Sequence, residues 1–350
     1  MILAGDIGGT KTMLAVFSAS PAAGRGADRR ALGFERDSGV VETYDSRDFA
    51  HFDEILRDFC ARHRPQLRAA CIGVAGPVRK NRCSATHLPW TIDGAELARS
   101  LGLGGCALLN DLAAVGYGID VLREDEIEEL QAGAPGASGN RAVIAAGTGL
   151  GEAGLFWDGA AHRPFATEGG HADFAPQDEL EIGLLRFLQQ EREPVSWERV
   201  VSGPGLVSIF RFLLDLQPAG ARAEGAPGLA GMAEAMTSAE PAAWISRRAR
   251  SGDCALSARA LDLFVKLYGA EAGNLALKTM ATGGVYIGGG IAAKNLPWMR
   301  SGSFVEAFCS KDRMRPLLEA MPVRLILNDQ AALLGAARHA ATRLEAESVT

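Results

Sequence analysis

The sequence predicts an α/β protein made of two similar halves, on three observations. Residues 2–17, ILAGDIGGTKTMLAVF, read as strand, Gly-Gly-Thr turn and strand, and residues 142–156, AVIAAGTGLGEAGLF, repeat that design at mid-chain. Continuous apolar runs at 70–78 and 107–109 fit the centre of a sheet covered on both faces. Between such runs lie segments of helical periodicity. With 350 residues and 47% apolar content, the chain has room for two globular domains.

Composition removes several classes of function. The net charge is −6 and Lys and Arg form no cluster, which excludes a nucleic-acid or membrane-surface role. The six cysteines are scattered, with no C-x-x-C pair, and read as small buried hydrophobes in a reducing compartment. Asp6 interrupts the first apolar run and no basic segment precedes it, so the amino terminus does not read as a signal peptide. No run approaches the roughly 20 apolar residues of a membrane span. The expectation is a cytoplasmic protein.

Taken in order, the elements are these. After the first hairpin, residues 18–45 are Ala/Gly/Arg-rich and read as a loose excursion. A helix is predicted over about 47–62, with Phe49, Phe52, Ile55, Leu56 and Phe59 on one face. The strand at 70–78 ends in Gly76-Pro77, and the loop Ser84–Trp90 is polar, then aromatic. Asp93 opens a short helix that Gly102 closes, with Glu96 three residues on as in a capping box. Helices are predicted at 178–191 and 256–280, an Ala/Gly/Pro-rich insertion at 217–231, and an amphipathic terminal helix that returns to the first domain.

The residues with chemical potential sit at strand ends. Leu108-Leu109-Asn110-Asp111 delivers an adjacent amide and carboxylate to the end of a buried strand, where ligands of open α/β sheets collect. Asp111 in that place accepts a proton from an attacking hydroxyl that Asn110 holds, or else it only N-caps the next helix. In the first hairpin, Gly8 and Gly9 let backbone N–H groups approach an anion, Thr10 adds a hydroxyl and Lys11 a charge. Asp6 is placed to hold Mg²⁺ through water. An ordinary hairpin with a solvated Lys and Asp accounts for the same residues. Glu168, His171 and Glu198 grip sugar hydroxyls, ligate a metal, or merely furnish a solvated turn and a helix start. Gly288-Gly289-Gly290 ends a buried strand, where a flat base lies against bare backbone or the chain simply turns. Gly149-Leu150-Gly151-Glu152-Ala153-Gly154 matches G-x-G-x-x-G, but an aromatic strand follows rather than the helix a dinucleotide site needs.

In order along the chain, GDIGGTKT, GVAGP, LPW, LLNDLAA, GTGLGEA, EGGHADFAP, SWERVVSGPGL, GGVYIGGGI and NDQAALLGAA resemble the motifs of the bacterial glucokinases, over essentially its whole length. That resemblance implies the two-domain actin-like ATPase (ribonuclease H-like) sugar-kinase fold with an interdomain cleft. Its domains would be 1–111 with about 331–350, and 112–330. It implies ATP-dependent phosphorylation of D-glucose to glucose 6-phosphate, the entry step of glycolysis, in a homodimer. Asp111 would be the base. Asn110, Glu168, His171 and Glu198 would bind the sugar. Asp6, Gly8, Gly9, Thr10, Lys11 and Thr148 would handle phosphates and the Mg²⁺ carried by ATP, and Gly288, Gly289 and Gly290 the adenosine. Two features depart from the pattern. His87 stands where the family usually has Asn, and Lys11 resembles the wider repressor/kinase sugar-kinase group. No Cys-rich loop follows His171, so structural zinc is not implied. The alternatives are a related hexose or N-acetylhexosamine kinase, and a non-catalytic sugar-binding regulator.

Overall fold

The computed structural model describes residues 1–21, 32–86, 88–191, 193–218, 220 and 228–347. His87 and most of the 217–231 insertion lie outside them. The chain divides into two compact units, one of Met1–Glu126, Ala153–Ala166 and Asn328–Thr350, the other of Ile127–Glu152 and Thr167–Leu327. Among the described residues, no helix is long and apolar enough to cross a membrane.

The first unit holds strands β1 (Ile2–Ile7), β2 (Lys11–Pro21), β3 (Leu32–Asp45), β4 (Ala69–Val74), β5 (Arg82–Ser84), β6 (Thr91–Asp93) and β7 (Cys106–Asn110). Its helices are α1 (Phe52–His63), α2 (Gly94–Leu101) and α3 (Asp111–Gly118). Five strands form one sheet in the order β3-β2-β1-β4-β7, with β1, β4 and β7 parallel. The predicted excursion at 18–45 is therefore corrected over residues 18–21 and 32–45, while residues 22–31 lie outside the described residues. β2 and β3 pair antiparallel from Lys11↔Asp45 to Pro21↔Leu32, because alternating residues such as Phe34 and Val41 still find a core beneath them. The first helix begins at Phe52 rather than 47, after a short 3₁₀ turn at Ser46–Asp48. Asp93 caps α2 by accepting from Ala95 N and Glu96 N at 2.8 and 3.2 Å, and Gly102 closes it with φ of 67°, as the sequence indicates.

Period-two alternation buries this sheet on both faces. Leu3, Ile7, Leu14, Ile72 and Leu108 pack with Ile55, Phe59 and Leu97 of α1 and α2. On the other face, Ile2, Ala4, Ala15 and Cys71 pack with Leu333, Ala336, Ala337 and Ala340 of α13 (Ala331–Glu347). The terminal helix thus returns to the first unit. It lies against α3 so closely that a methyl on Gly335 would overlap Ala114 O and one on Gly118 would overlap Ala331 O. Arg338 Nη1 donates to Tyr117 O at 3.1 Å and pairs with Asp120 Oδ2 at 2.7 Å.

The remaining strands are β8 (Ile127–Gln131), β9 (Arg141–Ala146), β10 (Leu150–Trp157), β11 (His162–Thr167), β12 (Gly284–Gly288) and β13 (Val323–Ile326). Their sheet order, β11-β10-β9-β12-β13-β8, repeats that of the first sheet and adds β8 antiparallel to β13. The two-hairpin reading of the sequence is thereby a repeated topology. The helices of the second unit are α4 (Glu179–Gln189), α5 (Gly203–Asp215), α6 (Met232–Thr237), α7 (Pro241–Ser251), α8 (Ala255–Thr279), α9 (Gly290–Lys294), α10 (Leu296–Met299), α11 (Ser303–Cys309) and α12 (Arg315–Glu319). The 25 residues of α8 cross the core, burying Leu261, Phe264 and Leu275 beside Ile144, Val285 and Phe304.

Candidate active site

In the first unit, the parallel register sets Asp6 opposite Gly73 and Val74 opposite Asn110, so both chemical positions lie at carboxyl ends of strands. Gly73 leaves the space: a methyl there would lie 3.2 Å from Ala114 Cβ. The turn after β1 is closed by Gly8 N–H donating to Lys11 O at 2.9 Å. Ser46 fastens it, donating its N–H to Thr10 O at 2.9 Å and its hydroxyl to Gly8 O at 3.0 Å. Lys11 reaches Asp329 at 3.4 Å, an exposed pair worth little.

The amide and carboxylate at the end of β7 divide their work unexpectedly. Asn110, not Asp111, is the N-cap of α3, its Oδ1 accepting from Leu112 N and Ala113 N at 3.1 and 3.2 Å. Its Nδ2 donates to Asp111 Oδ1 at 2.9 Å and to Gly76 O at 3.3 Å. Asp111 is the first residue of the helix and also accepts from Leu112 N at 3.0 Å. The reading of Asp111 as merely the cap is therefore corrected. Accepting from the amides two and three residues on, as Asn110 Oδ1 does, is the usual capping geometry. Asp6, partly buried near Asp111, has its carboxyl pushed up to about 7 by loss of water and then by the Asp111 charge, with Lys11 opposing.

In the second unit, three glycine-bearing segments meet at the carboxyl ends of β9 and β12. The Gly147–Gly149 turn is closed by Gly147 N–H to Gly149 O at 2.8 Å, and Gly203 N–H of α5 donates to Gly147 O at 2.8 Å. Gly289, with φ of 86°, turns β12 into α9, and a side chain there would strike Ala146 O. Buried Tyr268 ties these ends together. Its hydroxyl accepts from Ala146 N at 2.9 Å and lies 3.2 Å from Ile144 O and 3.1 Å from Gly288 O. Thr148 is exposed at the tip of its turn. Among these supporting residues, Ser46 and Tyr268 escape motif reading, since each acts through backbone contacts made only by folding.

Glu168, His171 and Glu198 lie on two adjoining 3₁₀ turns, Gly169–His171 and Trp197–Arg199. Trp197 N–H donates to Ala172 O at 2.9 Å, and Phe174 N–H to Val195 O at 2.9 Å, so the turns are laced together. Glu198 Oε2 accepts from Leu150 N at 3.0 Å, and a methyl on Gly149 would overlap that oxygen. His171 Nδ1 is 4.0 Å from Glu198 Oε1 and its ring is mostly exposed. Among the described residues no group of three His, Cys, Asp or Glu is placed to hold a metal, so the metal-ligation reading of these three is not supported. The G-x-G-x-x-G segment lies in a turn and β10, with no helix to receive a pyrophosphate.

Comparison with known proteins bears on this geometry. The two like-ordered sheets define a sugar-kinase fold: the crystal structure of a glucokinase from an Antarctic psychrotroph superposes with a TM-score of 0.76 at 29% identity, covering 97% of this chain and 98% of that one. A ROK family glucokinase from Streptomyces griseus, in complex with glucose and AMPPNP, shares the fold with a TM-score of 0.61 at 20% identity, over 97% and 98% of the two chains. The family model for glucokinases matches residues 3–343, and the glucokinase of a Nostoc species is 42% identical over 97% of this chain and 99% of its own length. The chain belongs to the glucokinase family and is an enzyme that phosphorylates glucose.

Proposed function

We propose that this glucokinase moves the γ-phosphoryl group of ATP to the 6-hydroxyl of D-glucose, with Asp111 as general base, and so supplies glucose 6-phosphate to glycolysis. The observation that carries the base assignment is the division of labour at α3. Because Asn110 caps the helix, Asp111 is held at a strand end without being the cap. As the sugar oxygen bonds to phosphorus and the bond to the β-phosphate oxygen breaks, Asp111 takes up the hydroxyl proton. Asn110 orients Asp111 through its Nδ2. Glu168, His171 and Glu198 bind the other hydroxyls, supported by the rigid lacing of their turns.

Backbone N–H groups of the Gly8–Thr10 turn, with Lys11 and Thr148, take the phosphates. Gly288, Gly289 and Gly290 leave bare backbone for the adenosine. The position of Asp6 suits Mg²⁺, a hard cation that prefers oxygen, since a carboxyl pushed up by burial and a neighbouring acid is stabilised in its charged form by such an ion. Bound with ATP, the ion would neutralise charge on the phosphate oxygens.

The test is ADP release across a panel of hexoses, with calorimetry on the Asp111→Asn variant. Glucose should be the preferred acceptor. The variant should bind glucose and lose roughly 10²–10⁴-fold in kcat, the usual contribution of a positioned base. Near-normal turnover in a folded, glucose-binding variant would remove Asp111 from the chemistry, and faster turnover on another hexose would overturn the preference for glucose.

A further inference from the structure

Beneath the turn carrying Glu168 and His171 lies a pair of buried carboxyl groups that phosphoryl transfer does not use. Glu152, on β10, is 2% exposed, and Glu271, on α8, is 0% exposed. The two side chains are within hydrogen-bonding reach of each other, and each has its Oε1 buried without a donor. Two ionised carboxylates offer four acceptors and no proton, so only a proton carried by one of them links the pair.

The surroundings make full ionisation costly. Asn274 Nδ2 donates to Glu271 Oε2 at 2.7 Å. Lys278 Nζ is 3.6 Å from Glu271 Oε1, near enough for attraction but not for a hydrogen bond, and its side chain is 57% exposed. Lys311 donates to Ala270 O and Asn274 Oδ1 at 2.9 and 2.7 Å, and acts on Glu271 from a distance. Tyr268 is the remaining titratable neighbour on α8, and Glu168 and His171 lie on the turn beyond Gly169. Burial, then the Glu271 charge, push Glu152 up to about 8, and burial raises Glu271 as well. One shared proton leaves a single negative charge, which Lys278 balances.

On its other side Glu152 abuts the sugar turn. A methyl on Gly169 would overlap Glu152 Oε2, and Thr167 Oγ1 donates to Glu152 O at 3.2 Å. Leu150, two residues earlier, holds Glu198 through its N–H and lies against Gly170. The first three residues of β10 are thus a platform under both sugar-binding turns.

We propose that the Glu152–Glu271 pair is a positioning device for the Glu168–His171 turn: with one proton shared, it seats Glu152 under Gly169, and loss of that proton pushes Glu152 into the turn and weakens glucose binding. The proposal rests on the reading of Glu168 and His171 as sugar contacts. Repulsion between two buried charges is relieved only by movement of one, and the Glu152 side chain has the turn, not protein core, on its outer side. Neither group touches the reacting atoms, so the effect belongs to KM for glucose and leaves kcat alone.

The experiment is the pH dependence of glucose KM and kcat for the whole enzyme, from about pH 6.5 to 9.5, with melting temperature followed at each pH. The wild type should show KM rising about tenfold between pH 7 and 9, as the competent form falls to about one part in ten. Glu152→Gln and Glu271→Gln keep the shape, supply a permanent hydrogen and remove one charge, so both should give a flat KM. Glu152→Ala, which empties the contact, should have a raised KM at every pH. A flat wild-type profile, or a Gln variant that follows a rising one, overturns the proposal. Glu168→Gln and His171→Ala separate the two levels. If they raise glucose KM while the Gln variants track the wild type, only the proton-sharing proposal falls. If they leave glucose KM unchanged, the sugar-site reading falls and this proposal with it.

Discussion

Replacing Tyr268 by Phe removes one oxygen atom from the centre of the second unit, and the structure says what that atom holds. The phenol accepts from Ala146 N and has one hydrogen to give, to Ile144 O or Gly288 O. Burial pushes its acidity further from neutrality, so the hydroxyl keeps its proton throughout the working range. Phe fills the same space and leaves no large cavity. The cost is therefore the stranded Ala146 N–H, at about 1–3 kcal/mol for a buried donor without an acceptor. At about 2–4 °C per kcal/mol for a domain of this size, the unit should melt roughly 2–12 °C lower. Catalysis should change selectively. Ala146 and Gly288 flank the turns assigned to Thr148 and to Gly289-Gly290, so KM for ATP should rise several-fold while KM for glucose stays within about twofold. Calorimetric melting and steady-state kinetics with each substrate varied in turn provide the check. A Tyr268→Phe enzyme that melts with the wild type and keeps its ATP affinity would refute the claim that this hydroxyl joins the two strand ends.

Three further outcomes are expected. Asn110→Ala removes a two-amide cap and should cost about 1 kcal/mol in urea unfolding, and, by releasing Asp111 Oδ1, should also lower kcat; Asp111→Asn should leave stability nearly unchanged. Gly169→Ala introduces a methyl onto Glu152 Oε2 and should raise glucose KM by about tenfold or more with ATP KM preserved, as read from initial rates. Glu152 ionises freely near 4.5 in the unfolded chain but only near 8 when folded, so its contribution to stability is intact below about pH 4.5 and is lost as pH rises toward 8. Glu152→Gln should accordingly unfold like the wild type near pH 4.5 and be more stable by a few kcal/mol at pH 8, at about 1.4 kcal/mol for each pH unit between the two values, in denaturant titrations at both pH values.

Much of this molecule is legible in its sequence where the signal is local. The Asp93 and Gly102 caps, the apolar centre of β4 and the repeated Gly/Thr hairpins are stated by neighbouring residues. The β2–β3 hairpin was hidden because its alternation is diluted by polar and glycine residues such as Glu35, Asp37 and Gly39, and only the sheet beneath makes strands of it. The capping role of Asn110 over Asp111 was equally hidden, since both are good caps and the choice depends on where β7 stops. Ser46 and Tyr268 are far in sequence from the strand ends they hold, as Glu152 is from Glu271. No spacing rule joins them, and folding alone does.

The close seam between α3 and α13 also sets a timetable. Tyr117 and the Arg338 that binds its carbonyl are 221 positions apart, so the helix that begins at Asp111 emerges from the ribosome long before the helix that clamps it. Until Ala331–Ala341 is made, the face of the first sheet bearing Ile2, Ala4 and Cys71 has no cover. The second unit, whose strands β9, β12 and β13 are all translated earlier, can assemble in the meantime. A nascent chain stalled before residue 331 would accordingly have a formed second unit and a first unit awaiting its last helix, a molecule in which the proposed base exists as residues but not as a site.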